Sequence, residues 1–487
     1  MKKKSSVLNS SSWTLGVKFI ERGVSLIIYI MLARFLSIEE FGVVAFAMLF
    51  LEFITVIISS GVKDFILTRK EVNKIFIDTC TFSVVTVSIL VSILFYLVMD
   101  LFFIDKSELM QDVFKVLLLL PAISSFNIVQ TALLQRNFNF KSLSLRNLFS
   151  TLVAGVISVY CAFDGYGAWA LVINQYSKVI VDTIILQVIV KYKPGLSFSY
   201  TYFKECYRFS IPLLVSEVMN FWSTRMMDLF VSIIHGVGSL AVLNISRKFT
   251  RLVQQLSLTS LRPVVLSYAT KSEDKSEAFA KFISYITFVV APILIAIGVY
   301  AEFYVTPIFG EQWEPAIVII EILSFTAVAQ CLSWYFGLVL ITQGKNVLLF
   351  KLNVVFTSIF FLAGLFSYKL QFTEYIIVQT FVINMVSIYK FYFLIKNKYM
   401  GYHDFKSYIV PSVISCLIFV FTSLVFRSFL NSDFFDSPWV KLSLTMLFSI
   451  FSFLISFFIT MLFFSVFSKD IKEAFFRVTS KSRKGKA

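Results

Sequence analysis

Several residue types that soluble proteins use in quantity are scarce in this chain of 487 residues. Charged residues make up only 15% of it, and nine prolines and 17 glycines are too few for a loop-rich or all-β protein. The two histidines, His235 and His403, fall in different predicted loops, and the five cysteines form no Cys-x-x-Cys pair. These absences argue against a metal site and against a disulfide framework.

The chain is instead strongly apolar, with 58% hydrophobic residues and 57 phenylalanines. Its apolar runs are about 16 to 27 residues long, the length that an α-helix needs to cross roughly 30 Å of hydrocarbon. A transmembrane barrel would show shorter, alternating segments. An all-α polytopic membrane protein of about fourteen helices is therefore predicted. The predicted spans are 13–33, 41–61, 80–99, 113–134, 148–163, 168–190, 209–234, 237–261, 282–301, 316–342, 352–368, 375–395, 409–426 and 442–467.

The net charge of +15 is distributed in a way that predicts orientation. With the N-terminus in the cytoplasm, the cytoplasmic connections and tails contain 30 Lys and Arg residues, and those on the opposite side contain five. The positive-inside rule gives this asymmetry for an even number of spans with both termini inside. The basic excess therefore indicates membrane topology. No nucleic-acid partner is expected, since no motif of that kind is present.

Charged side chains inside three predicted spans are the most informative, because each costs about 2.5 to 3.5 kcal/mol at a helix centre. In the first span, Lys18, Glu21 and Arg22 are three and four residues apart and project from one face. The seventh and eighth spans repeat this arrangement. Their polar faces consist of Glu217, Asn220, Thr224 and Asp228, with Arg225 one turn away, and of Asn244, Lys248, Arg251 and Gln255, with Arg247 beside them.

The residues alone leave two explanations of these charges open. In the first, the charges pair with one another and fix helix packing, for example Arg225 with Asp228 and, in the sixth span, Lys178 with Asp182. In the second, the cations of the first and eighth spans bind an anion, since they outnumber the acids available to them. Arginine suits phosphate, because its planar fork donates two parallel hydrogen bonds and keeps its charge when partly desolvated.

Large extramembrane domains are also missing, because the longest predicted connections are about twenty residues. A polytopic enzyme of glycan assembly would present its reactive groups on such a domain, and no Walker-type or dinucleotide-binding glycine loop is present. The chain is therefore predicted to be a transporter and not an enzyme. A non-transporting scaffold would have no need of polar faces inside the membrane.

Five motifs, in order along the chain, resemble those of Wzx-type polysaccharide flippases in the multidrug/oligosaccharidyl-lipid/polysaccharide exporter superfamily. The first runs from Arg34 to Gly42 and resembles the signature R-x-L-x-x-x-x-(F/Y)-G between the first two spans. The others are LQRNFNFK at 134–141, GYGAWAL at 165–171, FGEQWEPA at 309–316 and QGK at 343–345. The resemblance covers essentially residues 10–470.

The resemblance implies two six-helix lobes around a central cavity, with two further helices appended. It places an N-lobe at residues 1–190, a cytoplasmic linker at 191–208, a C-lobe at 209–396, the last two spans within 397–468 and a basic cytoplasmic tail at 469–487. Related lipid II flippases bind diphosphate through arginines on helices 1, 2 and 8. Helix 2 of this sequence offers only Glu52. Arg225 and Lys18 are candidates to replace the missing arginine.

The function implied is translocation of an undecaprenyl-diphosphate-linked oligosaccharide from the cytoplasmic to the outer leaflet by alternating access, for surface polysaccharide biosynthesis. The alternative on the same fold is a cation-coupled exporter of drugs or metabolites. The expected location is the bacterial cytoplasmic membrane, with the lipid-linked substrate, the bilayer, a polysaccharide polymerase and an initiating glycosyltransferase as partners. No cofactor is expected apart from a coupling Na⁺ or H⁺.

The candidate site residues form three groups. Diphosphate binding is assigned to Lys18, Arg22, Arg225, Arg247, Lys248 and Arg251. The sugar region of the cavity is assigned to Asn220, Trp222, Asn244 and Gln255. Cation coupling is assigned to Glu21, Glu217 and Asp228.

Overall fold

The computed structural model describes residues 2–103, 107–192, 197–255, 275–431 and 437–464, together with the single positions 195, 257, 265 and 272. The predicted tail at 469–487 and the ends of the predicted spans 237–261 and 442–467 lie outside these residues. Nearly all the described residues are helical and none of them forms a strand, so the all-α prediction is confirmed. By its internal contacts the chain divides into two compact units, residues 1–241 (unit 1) and 242–487 (unit 2).

Unit 1 is built from long helices joined by short connections. Helix α7 packs against α1 and α8, α2 packs against α9, and α6 packs against α4 and α8. The helices are α1 (Lys2–Phe35), α2 (Ile38–Ser59), α3 (Val62–Thr68), α4 (Lys74–Phe103), α5 (Glu108–Leu117), α6 (Leu120–Arg136), α7 (Phe140–Phe163), α8 (Ala168–Val190), α9 (Tyr200–Ile234) and the first residues of α10 (Gly236–Gln254).

Among its described residues, unit 2 contains the rest of α10 and eight further α-helices of at least seven residues. They are α11 (Lys275–Val299), α12 (Ala301–Phe309), α13 (Ala316–Cys331), α14 (Phe336–Thr342), α15 (Asn346–Phe366), α16 (Phe372–Lys396), α17 (Val410–Leu430) and α18 (Pro438–Phe463). Helix α11 packs against α13 and α17, and α17 packs against α18. Their apolar faces form one core, in which Ile283, Leu294 and Phe419 are almost fully buried.

Polar contacts attach α17 to the other helices of unit 2. The hydroxyls of Ser284 on α11 and Ser412 on α17 are 2.6 Å apart. Near the other end of α17, Arg427 makes salt bridges to Glu302 on α12 (2.8 Å) and to Glu321 on α13 (2.9 Å). Glu321 is isolated in the sequence, and its role becomes clear only through these contacts.

Among the described residues, eleven helical segments are long and apolar enough to cross a membrane. They coincide with eleven of the fourteen predicted spans. The other three predicted spans, 13–33, 209–234 and 237–261, fall on α1, α9 and α10, which are helical but more polar. The three predicted spans outside this set are therefore those that carry most of the candidate site residues. The predicted lobe boundaries, 1–190 and 209–396, stay a prediction.

Candidate functional site

The charged face of α1 lies in unit 1 beside two neighbouring helices. Lys18 is exposed, whereas Glu21 and Arg22 are half-buried. Glu21 lies within electrostatic range of Lys178 and Asp182 on α8, as well as of Arg22 and Lys18 on its own helix. The structure thus brings the charges of the first and sixth predicted spans together.

The charges of α8 are not paired as their spacing predicts. Asp182 makes a salt bridge with Arg146 on α7, where Nε and Oδ1 are 3.2 Å apart. Arg146 also donates a hydrogen bond to the hydroxyl of Thr131 on α6 (3.1 Å). The predicted pair of Lys178 with Asp182 is therefore wrong. Asp182 points to the adjacent helix, and Lys178 lies within electrostatic range of Glu21.

Arg225 on α9 is at the centre of a second charged group. One guanidinium nitrogen is 2.6 Å from the carboxylate of Glu52 on α2, and the other is 3.1 Å from Asp228. Asp228 is fully buried. The predicted pairing of Arg225 with Asp228 is confirmed, and Glu52, too isolated in the sequence to interpret, is its third member. These three side chains together carry one net negative charge.

The other candidate residues of α9 are accessible. Glu217, Asn220 and Trp222 are all exposed, and the indole ring of Trp222 also contacts Phe53 on α2, with ring centroids 6.1 Å apart. Side chains that meet a sugar or an ion must be reachable in this way. Their exposure is compatible with the assigned roles, which stay predictions.

In unit 2, α10 presents its polar residues along one face. Residues at i, i+4, i+7 and i+11 share a side of a helix, and Asn244, Lys248, Arg251 and Gln255 follow that spacing. Gln255 is exposed and the others are half-buried, as is Arg247. The opposite side of α10 contacts the body of the unit, because the buried hydroxyl of Ser246 donates to the carbonyl of Ala316 on α13 (3.3 Å).

The motif residues shape helix ends. At the start of α2, the amide of Ser37 donates to the carboxylate of Glu40 (2.8 Å), and the amide of Glu40 donates to the hydroxyl of Ser37 (3.3 Å). A Cβ on Gly167, just before α8, would lie 2.0 Å from Oε1 of Glu40. A Cβ on Gly42 would lie 2.1 Å from the carbonyl oxygen of Val237. The first and third motifs thus meet where Glu40 approaches Gly167, and Gly42 is required by its close contact with the backbone of Val237.

Arg136 of the second motif binds the backbone of the loop that follows α3. The guanidinium of Arg136, at the end of α6, donates to the carbonyl of Ile66 (2.8 Å), to that of Lys70 (2.7 Å) and to that of Arg69. It therefore satisfies carbonyl groups at the C-terminal end of α3. In the fourth motif, Trp313 is fully buried. These roles are structural, and the motif residues are separate from the polar faces of α1, α9 and α10.

A groove of about 400 Å³ lies between α7 and α8 on the surface of unit 1. Its lining is apolar apart from Ser142 and Arg146. It is therefore suited to hydrocarbon and differs in character from the polar sugar region that the sequence predicts. The lining residues are Ser142, Leu145, Arg146, Leu148, Phe149, Leu152, Ile185 and Ile189.

Comparison with known proteins places this arrangement in a family. A family model described as polysaccharide biosynthesis protein matches residues 31–318, more than half of the chain. This chain belongs to that family. The matched region includes α2 to α12 and therefore contains the polar faces of α9 and α10, together with the Arg146–Asp182 and Glu52–Arg225–Asp228 contacts.

Curated relatives carry names from surface polysaccharide pathways. The succinoglycan biosynthesis transport protein ExoT of Rhizobium meliloti is 23% identical over 322 residues, 65% of this chain and 64% of its own length. The lipopolysaccharide biosynthesis protein WzxC of Escherichia coli is 22% identical over 372 residues, 74% of this chain and 75% of its own length. The match thus spans just under two thirds of ExoT and three quarters of WzxC.

Solved structures share the fold. The lipid II flippase MurJ in an inward closed conformation has a TM-score of 0.71 at 15% identity, covering 93% of this chain and 98% of its own. An inward-facing multidrug resistance transporter of the MATE family has a TM-score of 0.60 at 14% identity, covering 76% and 93%. With its eleven apolar helical segments among the described residues, the chain is a multi-pass membrane protein, as the sequence predicts.

Proposed function

We propose that this chain is a flippase that moves an undecaprenyl-diphosphate-linked oligosaccharide from the cytoplasmic to the outer leaflet for surface polysaccharide biosynthesis. The observation that carries the proposal is the placement of cationic side chains on α1 and α10, helices that coincide with predicted spans, in a member of a polysaccharide biosynthesis family. One relative is named a succinoglycan biosynthesis transport protein, and a lipid II flippase has a similar fold. Both support a lipid-linked cargo.

The cationic side chains would bind the diphosphate. Lys18 and Arg22 provide them in unit 1, and Arg247, Lys248 and Arg251 provide them in unit 2. Away from bulk water, a guanidinium bound to phosphate makes short charge-assisted hydrogen bonds that are about twice as strong as neutral ones. Arg225 is already bound by two carboxylates, so a role in positioning α2 against α9 suits it better than phosphate binding.

The remaining polar residues would serve the sugars and the coupling ion. Asn220, Trp222, Asn244 and Gln255 offer amides and one exposed indole face, groups that suit sugar hydroxyls and sugar rings. Glu21, Glu217 and Asp228 would bind a coupling Na⁺ or H⁺. Protonation of the buried Asp228 would weaken its hold on Arg225 and could link the ion to helix movement.

Translocation would proceed by alternating access, with no chemical change in the cargo and no enzymatic step. We propose that both termini are cytoplasmic and that the membrane is the bacterial inner membrane, on the basis of the Lys and Arg distribution. A polysaccharide polymerase and an initiating glycosyltransferase would be its partners, because they consume and supply a flipped lipid-linked glycan.

The test is extraction of lipid-linked glycans from a strain that lacks this chain, with surface polysaccharide measured in parallel. We expect undecaprenyl-diphosphate oligosaccharide to accumulate while the surface polymer disappears, and the wild-type chain to reverse both effects. Unchanged glycans with increased sensitivity to cationic drugs would contradict the proposal. That result would favour the cation-coupled exporter, the second function found on this fold.

A further inference from the structure

A cluster of six ionisable side chains lies within unit 1, on three helices that pack in the order α1, α7, α8. One salt bridge and one electrostatic interaction define it. Arg146 on α7 binds Asp182 on α8 at 3.2 Å, and Glu21 on α1 lies within electrostatic range of Lys178 on α8. The members of this α1–α7–α8 cluster are Lys18, Glu21, Arg22, Arg146, Lys178 and Asp182.

The cluster has more positive than negative charge. Arg146 and Asp182 neutralise one another, and both are mostly buried, with 11% and 16% of their side chains exposed. Glu21 balances only one of the three remaining cations, Lys18, Arg22 and Lys178. Among the residues that the structure describes, none of these three makes a salt bridge. Two positive charges therefore remain, at a depth where an unbalanced charge is costly.

Lys178 does not lie at the membrane surface, where water would reduce the cost of its charge. It is ten residues from the start of α8 and twelve from its end, so it lies near the middle of a membrane helix. The apolar residues Ile180, Ile184 and Val188 are exposed and recur every four positions, which identifies the lipid-facing side of α8. Lys178 is two residues from Ile180, about 200° around the helix, and thus on the opposite side.

We propose that Lys178 is a ligand of the substrate diphosphate, and that the Arg146–Asp182 salt bridge is a positioning pair that holds this side of α8. The proposal rests on the flippase function proposed above and adds a third cation to Lys18 and Arg22. A diphosphate that links a lipid to a sugar carries one negative charge on each phosphate, so it offers two separate phosphate groups to the cations of the cluster, whereas a monophosphate offers one.

The salt bridge between Arg146 and Asp182 explains why Lys178 is available. An i,i+4 partner would hold the ammonium group along α8, but Asp182 is turned toward α7. The ammonium group lies within electrostatic range of Glu21 on α1. Glu21 would keep one of the three cations balanced, and the bound diphosphate would lie among the other two positive charges.

The experiment measures binding of two probes, undecaprenyl diphosphate and undecaprenyl monophosphate, to the purified full-length chain in detergent. We expect Lys178→Ala to weaken diphosphate binding by roughly tenfold or more while changing monophosphate binding much less. Lys178→Arg should restore most of the affinity. Lys70→Ala, which removes an exposed lysine of a loop in the same unit, is the matched control and should bind both probes normally.

The same variants are then assayed for surface polysaccharide at matched protein levels. If Lys178→Ala binds and exports like the wild type while Arg22→Ala is defective, the role of Lys178 is refuted and the flippase function stands. If Lys178→Ala loses affinity for both probes equally, a structural role replaces the proposed one. If the deletion strain itself accumulates no lipid-linked glycan, the flippase function fails whatever the binding result.

The positioning pair has its own readout. Asp182→Asn removes the charge of Asp182 with little change in volume. The salt bridge that joins α8 to Arg146 is lost, while Arg146 keeps its hydrogen bonds to Thr131 and Asn147. We expect this substitution to reduce the preference for diphosphate over monophosphate without removing binding. Unchanged preference in Asp182→Asn would show that the salt bridge does not position Lys178.

Discussion

At the scale of the residue, the position of Gly167 does not tolerate a side chain without strain. Its φ of 53° lies in the region that favours glycine, and a Cβ would lie 2.0 Å from Oε1 of Glu40. We expect Gly167→Ala to lower the thermal midpoint of the purified protein by on the order of 2 to 4 °C, because it adds both backbone strain and a clash. Thermal unfolding in detergent, followed by intrinsic fluorescence, measures this change.

Gly165→Ala is the matched control, because it also has a positive φ, of 84°, but no heavy atom within 4 Å of the added Cβ. It should cost less than Gly167→Ala. Combining Gly167→Ala with Glu40→Ala should recover part of the loss, since the clashing carboxylate is gone. Equal effects of the two single glycine substitutions, with no recovery in the double variant, would contradict the close contact.

The Glu52–Arg225–Asp228 group gives a second residue-scale prediction. Arg225→Ala removes the salt bridge of the fully buried Asp228, and losing one partner of a buried pair costs about 3 kcal/mol of the free energy of unfolding. Glu52→Gln, whose carboxylate is 41% exposed, should cost under about 1 kcal/mol. Denaturation of both purified variants compares the two losses. A larger loss in Glu52→Gln than in Arg225→Ala would contradict this account.

At the scale of the element, most helices could be predicted from the sequence and their side-chain partners could not. A span such as 375–395 was identifiable because an apolar run of membrane length has few alternatives to a helix in lipid. The spacing of Lys178 and Asp182 suggested a pair within α8, whereas the true partner of Asp182 is Arg146 on the preceding helix. Sequence spacing identifies neighbours on one helix and carries no information about which helices pack together.

Glu52 and Glu321 show the same limit. Each is a single carboxylate in an apolar run, and each proves to bind an arginine on a helix distant in the sequence, Arg225 and Arg427 respectively. The pair Arg225–Asp228 could be predicted because both residues lie on α9, three positions apart.

The connection between α9 and α10 gives a prediction about pH. Burial lowers the pKa of His235 below its ordinary value of about 6.5, because the charged imidazolium loses hydration. The unfolded chain therefore binds a proton more readily, and the folded state should lose stability as the pH falls below about 6.5. We expect His235→Gln to reduce this loss in thermal scans between pH 7 and pH 5. An identical pH dependence in the variant would contradict it.

At the scale of the whole molecule, the distribution of Lys and Arg predicts which connections face the cytoplasm. A cysteine introduced at Lys369, between α15 and α16, should react with an impermeant maleimide added to intact cells. A cysteine at Lys70, between α3 and α4, should react only after the membrane is opened, and both native side chains are exposed. The opposite pattern would reverse the proposed orientation, and labelling of both in intact cells would contradict the span count.

The central claim is that the chain moves a lipid-linked oligosaccharide between leaflets. The most direct measurement places the purified chain in liposomes that contain a fluorescent form of the glycolipid recovered from the deletion strain, and follows the fraction that external dithionite quenches. We predict that quenching exceeds the half expected for one leaflet and approaches completion, while Arg22→Ala liposomes stay near half. If liposomes with the folded wild-type chain also show only half quenching, the flippase function is contradicted.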